Sequence, residues 1–65
     1  MDSFPILKFF NHDHLPERLQ LIVRPFYQLA HDMVKIQNGN EPQEVASGLR
    51  KLLEAKDCFV RANLT

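Results

Sequence analysis

Apolar residues recur along two stretches of the chain at intervals of three or four positions, which is the period of an α-helix. The apolar positions are Leu19, Ile22, Val23, Phe26, Leu29, Ala30 and Met33 in the first stretch and Val45, Leu49, Leu52, Leu53, Phe59 and Val60 in the second. Neither stretch shows the strict alternation that would indicate a strand. The pattern predicts an N-terminal arm over residues 1–14, a first helix over 15–37 and a second helix over 41–63.

Residues at the edges of these stretches predict where each helix begins and ends. Asp13 suits the N-cap of the first helix, and Pro16 suits its first turn. Gly39 can adopt the left-handed conformation that ends a helix. Asn40 is then the expected N-cap of the second helix, with Gln43 completing a variant of the capping box.

Pro25 interrupts the first helical pattern, because proline lacks the backbone donor and its ring clashes with the preceding turn. A kink or a short break is therefore expected near Val23 and Arg24. The apolar stripe continues beyond Pro25, so we expect the helix axis to bend and not to stop.

A connection of a few residues forces two consecutive helices to lie antiparallel. The fold class is therefore all-α: an antiparallel two-helix hairpin with an N-terminal arm. Two helices cover each other's apolar stripes only in part, and so small a chain gains little stability from one core. Exposed apolar surface of this kind marks an interface, so we expect the hairpin to assemble into a closed homo-oligomer.

The composition narrows the class of protein. Sixty-five residues form one small domain, and 45% hydrophobic with 25% charged residues is typical of a soluble globular chain. The formal net charge of zero argues against binding a nucleic acid polymer. The sequence shows neither a signal peptide nor an apolar run of the roughly 20 residues that span a membrane. The single Cys58 fits a reducing compartment, so we expect a cytoplasmic protein.

The densest group of aromatic and polar side chains lies just before the first helix. It consists of Phe9, Phe10, Asn11, His12, Asp13 and His14. Aromatic faces stack on bases, and Arg18 and Arg24 could add forked donors for phosphates, so the group could hold a nucleotide. The alternative is structural: the two phenylalanines fill the hairpin, Asp13 caps the helix, and both histidines are solvated.

Catalytic and metal sites are not expected. His12 and His14 supply two possible ligands, whereas a structural zinc site needs four. Cys58 follows Asp57 in mid-helix and lacks an activating helix N-terminus, so we expect a partly buried thiol and no nucleophile. A small hydrolase would need a metal or a nucleophile–base pair. We therefore expect no cofactor, no metal and no enzymatic activity.

Several segments resemble a known family. Residues 48–62, GLRKLLEAKDCFVRA, resemble the segment ALRKLLEAKDAAVRA that is common in small phage proteins. Residues 10–16, 19–20, 24–26 and 29–32 also look like those proteins, so the likeness extends over about residues 9–63, nearly the whole chain. The chain thus resembles the phage helical-hairpin family that includes the anti-CBASS and anti-Thoeris cyclic-nucleotide sponges.

The resemblance implies closed homo-oligomers, often hexamers, that hold cyclic di- and trinucleotide immune signals between protomers without cleaving them. It also implies an aromatic residue before the first helix, at Phe10 or His12. A basic residue is implied early in the first helix, at Arg24 or Arg18, and another late in the second helix, at Arg61. Phenylalanine at position 10, where some sponges have tyrosine, keeps stacking but loses a phenolic hydrogen bond.

The resulting hypothesis is a non-enzymatic anti-defence sponge in the cytoplasm of an infected host cell. Its ligands would be cyclic dinucleotides such as cGAMP, cyclic trinucleotides or cyclic ADP-ribose isomers. The candidate ligand-binding residues are Phe10, His12, His14, Arg18, Arg24 and Arg61. The alternative hypothesis is a structural or protein-binding helical hairpin of a phage accessory protein, with no nucleotide ligand.

Overall fold

The computed structural model describes residues 4–64, which fold into three helical segments. A 3₁₀ helix, Pro5–Phe10, precedes two α-helices, α1 (Glu17–Gln37) and α2 (Pro42–Ala62). Near the start of α1, Arg18 donates a hydrogen bond to the carbonyl of Asn63, just after the end of α2. The two long helices pack against each other and are antiparallel, so the predicted all-α hairpin is confirmed.

The arm forms a 3₁₀ helix that completes the core. Leu7 and Phe10 stand three residues apart, and the 3₁₀ period of three places them on one face. Both are buried in a cluster with Ala30 of α1 and Leu49 of α2. The small side chain of Ala30 lets the arm approach α1 closely. The arm is therefore the third layer of the fold, which the periodicity analysis did not anticipate.

The first helix begins later than predicted, at Glu17, and Pro16 occupies the N-cap position. The prediction that Asp13 caps this helix is wrong, because the Asp13 side chain is almost fully exposed and lies beside His12. The carbonyl of Pro16 instead accepts hydrogen bonds from the backbone N–H groups of the first turn. The side chain of Gln20 also donates to the carbonyl of Leu15 at 2.8 Å, which ties the preceding loop to the helix.

The connection between the helices runs through three residues with positive φ angles. Asn38 (φ 51°) ends α1, and Gly39 (φ 82°) follows it, as the sequence predicts for a glycine at this position. Asn40 is not the N-cap of α2, because the helix begins at Pro42 and Glu41 precedes it; the backbone N–H of Asn40 donates to the carbonyl of Gln37 within the turn. Glu41 (φ 42°) takes the N-cap position without a side-chain cap, and the expected capping box is not formed.

Helix α1 passes through Pro25 without a break, so the expectation that the helix does not stop there is confirmed. Pro25 is exposed, whereas Val23 on the opposite side is buried. The apolar face on both sides of the proline is held against the rest of the fold, which keeps the helix continuous. Within residues 4–64, neither α1 nor α2 combines the length and apolar character that crossing a membrane requires.

Candidate functional site

A cleft opens where the arm and its following loop meet the start of α1 and the C-terminal half of α2. Its volume is about 460 Å³, within the range of small-molecule sites. The residues that line it are Lys8, Phe9, Asn11, His14, Leu15, Val23, Lys56 and Val60. We call it the arm cleft. Its lining among the described residues includes two lysines and a histidine but no carboxylate, although Lys56 is paired with Asp57 just outside the lining.

Lys56 contributes the most deeply placed charge to the arm cleft. Only 13% of its side chain is exposed, and its Nζ lies 2.8 Å from Oδ1 of Asp57. Asp57 itself is 45% exposed, so water screens its charge. An ammonium group has three donors, and Asp57 engages one of them. Most of the Lys56 side chain is thus packed against the fold, and its ammonium group is paired with Asp57 at the arm cleft.

Phe9 supplies an accessible aromatic surface next to this charge. Its side chain is 55% exposed although its neighbour Phe10 is fully buried. Nζ of Lys8 lies 5.3 Å from the centre of the Phe9 ring, within cation–π range. A planar group stacked on Phe9 would therefore lie close to a cation, which suits a base attached to a phosphate.

The remaining lining residues supply polar groups and an apolar wall. Asn11 can donate and accept hydrogen bonds, and His14 is exposed at the cleft. Leu15, Val23 and Val60 form the apolar part. Mixed lining of this kind, with two cations and one open ring, can bind a ligand that combines a flat apolar part with negative charge.

Phe10 does not have the predicted ligand-stacking role in this chain. Its ring is fully buried in the core between the arm and the two helices, so neither face is open to a base. The structural alternative, in which an arm phenylalanine fills the hairpin, describes Phe10. It does not describe Phe9, which is half-exposed at the arm cleft.

The two candidate histidines have different surroundings. His14 lines the arm cleft, as a ligand-binding residue should. His12 packs its ring edge-on against Tyr27, with 5.1 Å between ring centres. Its Nδ1 lies 3.5 Å from Oδ1 of Asp13 but makes no hydrogen bond there. His12 therefore anchors the loop to α1.

The three candidate arginines are exposed and are not among the residues that line the arm cleft. Arg18 bonds to the carbonyl of Asn63, and Nη2 of Arg24 lies 3.2 Å from Oε1 of Gln20. Nη2 of Arg61 lies 3.3 Å from the sulfur of Cys58. Cys58 is itself exposed, so the expectation of a partly buried thiol is wrong.

Sequence reasoning missed Lys8 and Lys56. The position of Lys56 carries a signal that could have found it, since it falls four residues after Leu52 and four before Val60. A lysine on the same helix face as the apolar stripe must bury part of its side chain. Lys8 has no such signal, because its role follows from how the arm folds back.

Residues 4–64 contain no group of three or more histidine, cysteine, aspartate or glutamate side chains arranged to hold a metal ion. Comparisons of the chain with protein-family models, with curated proteins and with solved structures found no match.

Proposed function

We propose that this protein is a non-enzymatic phage anti-defence sponge that binds cyclic oligonucleotide immune signals and thereby blocks CBASS-type signalling. The ligand class comprises cyclic dinucleotides such as cGAMP, cyclic trinucleotides and cyclic ADP-ribose isomers. Sequestration needs only affinity and abundance in the cytoplasm of the infected cell. The proposal rests on the family resemblance of the sequence and on the chemistry of the arm cleft.

The single observation that carries the proposal is that Lys56 and the half-exposed Phe9 line the same cleft as Lys8. In the proposed complex a base stacks on Phe9, and a phosphate accepts hydrogen bonds from Lys56 and Lys8. His14 and Asn11 contact the edge of the base or the sugar. Charge-assisted hydrogen bonds of this type contribute about 1.5–3 kcal/mol each.

The proposed binding unit is a closed homo-oligomer, for which the resemblance implies a hexamer. Arg18, Arg24 and Arg61 are exposed and outside the arm cleft of their own chain. In the oligomer they would reach a ligand held mainly by another protomer. A symmetric cyclic dinucleotide suits a twofold interface, because each half then meets the same side chains.

The test is calorimetric titration and thermal unfolding of the purified protein with a panel of these cyclic nucleotides. At 100 times its dissociation constant, a ligand stabilises the folded state by about 2.7 kcal/mol. The nucleotide should be recovered unchanged after long incubation. A cleaved nucleotide would identify a hydrolase instead.

Two lysine variants locate the site. Lys56→Gln removes the cleft cation, and we expect it to weaken binding by roughly 10- to 100-fold, the loss of one charge-assisted hydrogen bond. Lys51→Gln is the matched control, because Lys51 is an exposed lysine of the same helix outside the cleft lining. Equal effects of the two variants would contradict a site in the arm cleft.

A second candidate function is a protein-binding or structural helical hairpin. It is favoured by a separate apolar groove between α1 and α2, lined by residues such as Leu29, Met33 and Leu52. Absence of any thermal shift across the whole nucleotide panel would support this second function over the sponge.

A further inference from the structure

The hairpin has an apolar groove between α1 and α2 toward the end where the two helices are connected. Its volume is about 460 Å³, and its apolar lining includes Leu29, Met33, Val45 and Leu52. Within residues 4–64, its lining contains no residue of the 3₁₀ helix, which packs elsewhere on the hairpin. We call this side of the hairpin the open face.

Apolar residues continue along the open face beyond the groove. Positions on each helix follow a spacing of alternately three and four residues, which is typical of helices that pack lengthwise against other helices. These positions are Ile22, Phe26, Leu29, Met33 and Ile36 on α1 and Val45, Gly48, Leu52, Ala55 and Phe59 on α2. Phe26 and Phe59 meet across the hairpin, with 5.8 Å between ring centres. We call these ten positions the seam. Phe26, Val45 and Leu52 pack partly against the core, whereas Leu29 is 44%, Phe59 56% and Ile36 66% exposed. The hairpin therefore leaves part of the seam uncovered.

Gly48 lies on this seam, in the interior of α2 and at the groove. Its φ angle is not positive, and a Cβ added there would meet nothing within 4 Å. Glycine in a helix interior is less favourable than alanine, so a requirement for space usually accounts for it. Nothing within the described chain uses that space. The close approach of a helix from another molecule would use it.

The total accessible surface of the chain is larger than that of a compact monomer, which leaves area for a partner. The chain exposes 4934 Å², whereas a compact monomer of 7.6 kDa exposes about 4,300 Å² by the usual scaling. The excess of roughly 600 Å² approaches the 800 Å² or so that each partner buries in a stable protein–protein interface. A second copy of the hairpin would bury this area equally on both sides.

Charges at the two ends of the open face are complementary. Glu41 and Glu44 line the groove where the helices are connected. Arg18 is exposed at the other end, four residues before Ile22 and so on the same side of α1. A second copy placed antiparallel about a twofold axis would bring Glu44 of each chain toward Arg18 of the other.

From the seam, Gly48, the excess surface and the charges, we infer that the open face is an interface with a second, antiparallel copy of this chain. The product is a four-helix arrangement with both arms outside. This inference deepens the homo-oligomer of the proposed function, but it does not depend on nucleotide binding. The experiment that tests the interface uses no nucleotide, so the interface and the proposed nucleotide binding can each fail without the other.

Sedimentation velocity over a wide concentration range provides the test. The wild-type protein should sediment as a multiple of 7.6 kDa. Leu29→Glu places a charge on the open face and should give a smaller assembly than the wild type that keeps its helical circular dichroism. Leu21→Glu is the matched control, because Leu21 lies on the same helix, outside the groove lining, and is 66% exposed; it should sediment like the wild type.

Three results would overturn the inference: a wild-type protein that is monomeric throughout, a Leu29→Glu variant that keeps the size of the wild-type assembly, or a Leu21→Glu variant that dissociates equally. If Leu29→Glu fails to fold, Gly48→Ala gives a second measurement, since alanine favours the helix itself. We expect Gly48→Ala to remain helical but to dissociate at several-fold higher concentration. Unchanged or tighter association would contradict a close approach at Gly48.

The antiparallel orientation has its own test. Glu44→Arg and Arg18→Glu should each weaken association, because like charges would then face one another. The double variant restores opposite charges and should recover most of the wild-type association. A double variant as weak as the single ones would contradict the antiparallel arrangement.

Discussion

His12 meets Tyr27 edge-on, with 5.1 Å between ring centres and an interplanar angle of 88°. The same tyrosine ring lies 4.3 Å from the ring of His31, one turn further along α1. Tyr27 therefore links α1 to the loop after the arm, and its ring contacts the rings of both His12 and His31. This contact holds the arm in place. The arm in turn buries Leu7 and Phe10 in the core and forms one wall of the arm cleft.

Replacing Tyr27 by leucine should lower stability without changing the helices. Each aromatic pair contributes about 0.5–1.5 kcal/mol beyond its buried area. In a protein of this size a loss of 1 kcal/mol lowers Tm by about 4–8 °C. Thermal unfolding of Tyr27→Leu should show a drop of at least this size, and Tyr27→Phe, which keeps the ring, should unfold close to the wild type. Equal losses in both variants would show that the hydroxyl, not the ring, matters.

The neighbouring phenylalanines of the arm should behave in opposite ways. Phe10→Ala removes a fully buried ring and should cost about 3–5 kcal/mol, enough to unfold so small a domain. Phe9→Ala should change stability by no more than about 0.5 kcal/mol, but it should weaken nucleotide binding by about 1–3 kcal/mol. Urea denaturation and calorimetry measure the two effects. A stable Phe10→Ala protein would contradict the burial of the arm.

Replacing Pro25 by alanine should stabilise the protein. Proline in a helix interior is less favourable than alanine by up to about 3 kcal/mol, and α1 passes through Pro25 while its side chain is exposed. Alanine would restore a backbone N–H that can donate to the carbonyl of Leu21. We expect a higher Tm, and a lower one would mean that Pro25 maintains a bend that the packing requires. Whether the axis bends at Pro25 stays a prediction.

Arg24→Ala should weaken cyclic nucleotide binding and leave both fold and assembly intact. The only contact of this side chain described within residues 4–64 is with Gln20, one turn earlier and on the surface. Its removal should therefore change stability by no more than about 0.5 kcal/mol. Calorimetry and sedimentation of the same variant separate the two properties. Loss of binding and assembly together, or of neither, would count against a role in the ligand site.

The candidate site was predicted only in part. The aromatic and histidine group before the first helix does contribute to the arm cleft, through Phe9, Asn11 and His14. Phe10, the candidate stacking residue, is buried, whereas Phe9 is half-exposed. The sequence does not distinguish the two, because adjacent phenylalanines have the same local preferences. Only the direction in which the arm folds back decides which ring enters the core. The arginines remain candidates for a site shared between protomers.

The sequence by itself determined the two helices, the left-handed glycine between them and their antiparallel course. These features depend on residues within a few positions of each other, so the helical period and Gly39 are sufficient to specify them. The tertiary structure alone decided that the arm forms a 3₁₀ helix packed into the core, that Lys56 and Lys8 line the same cleft, and that Gly48 faces open space. Each of these depends on contacts between residues far apart in the chain, where burial and packing outweigh local preference.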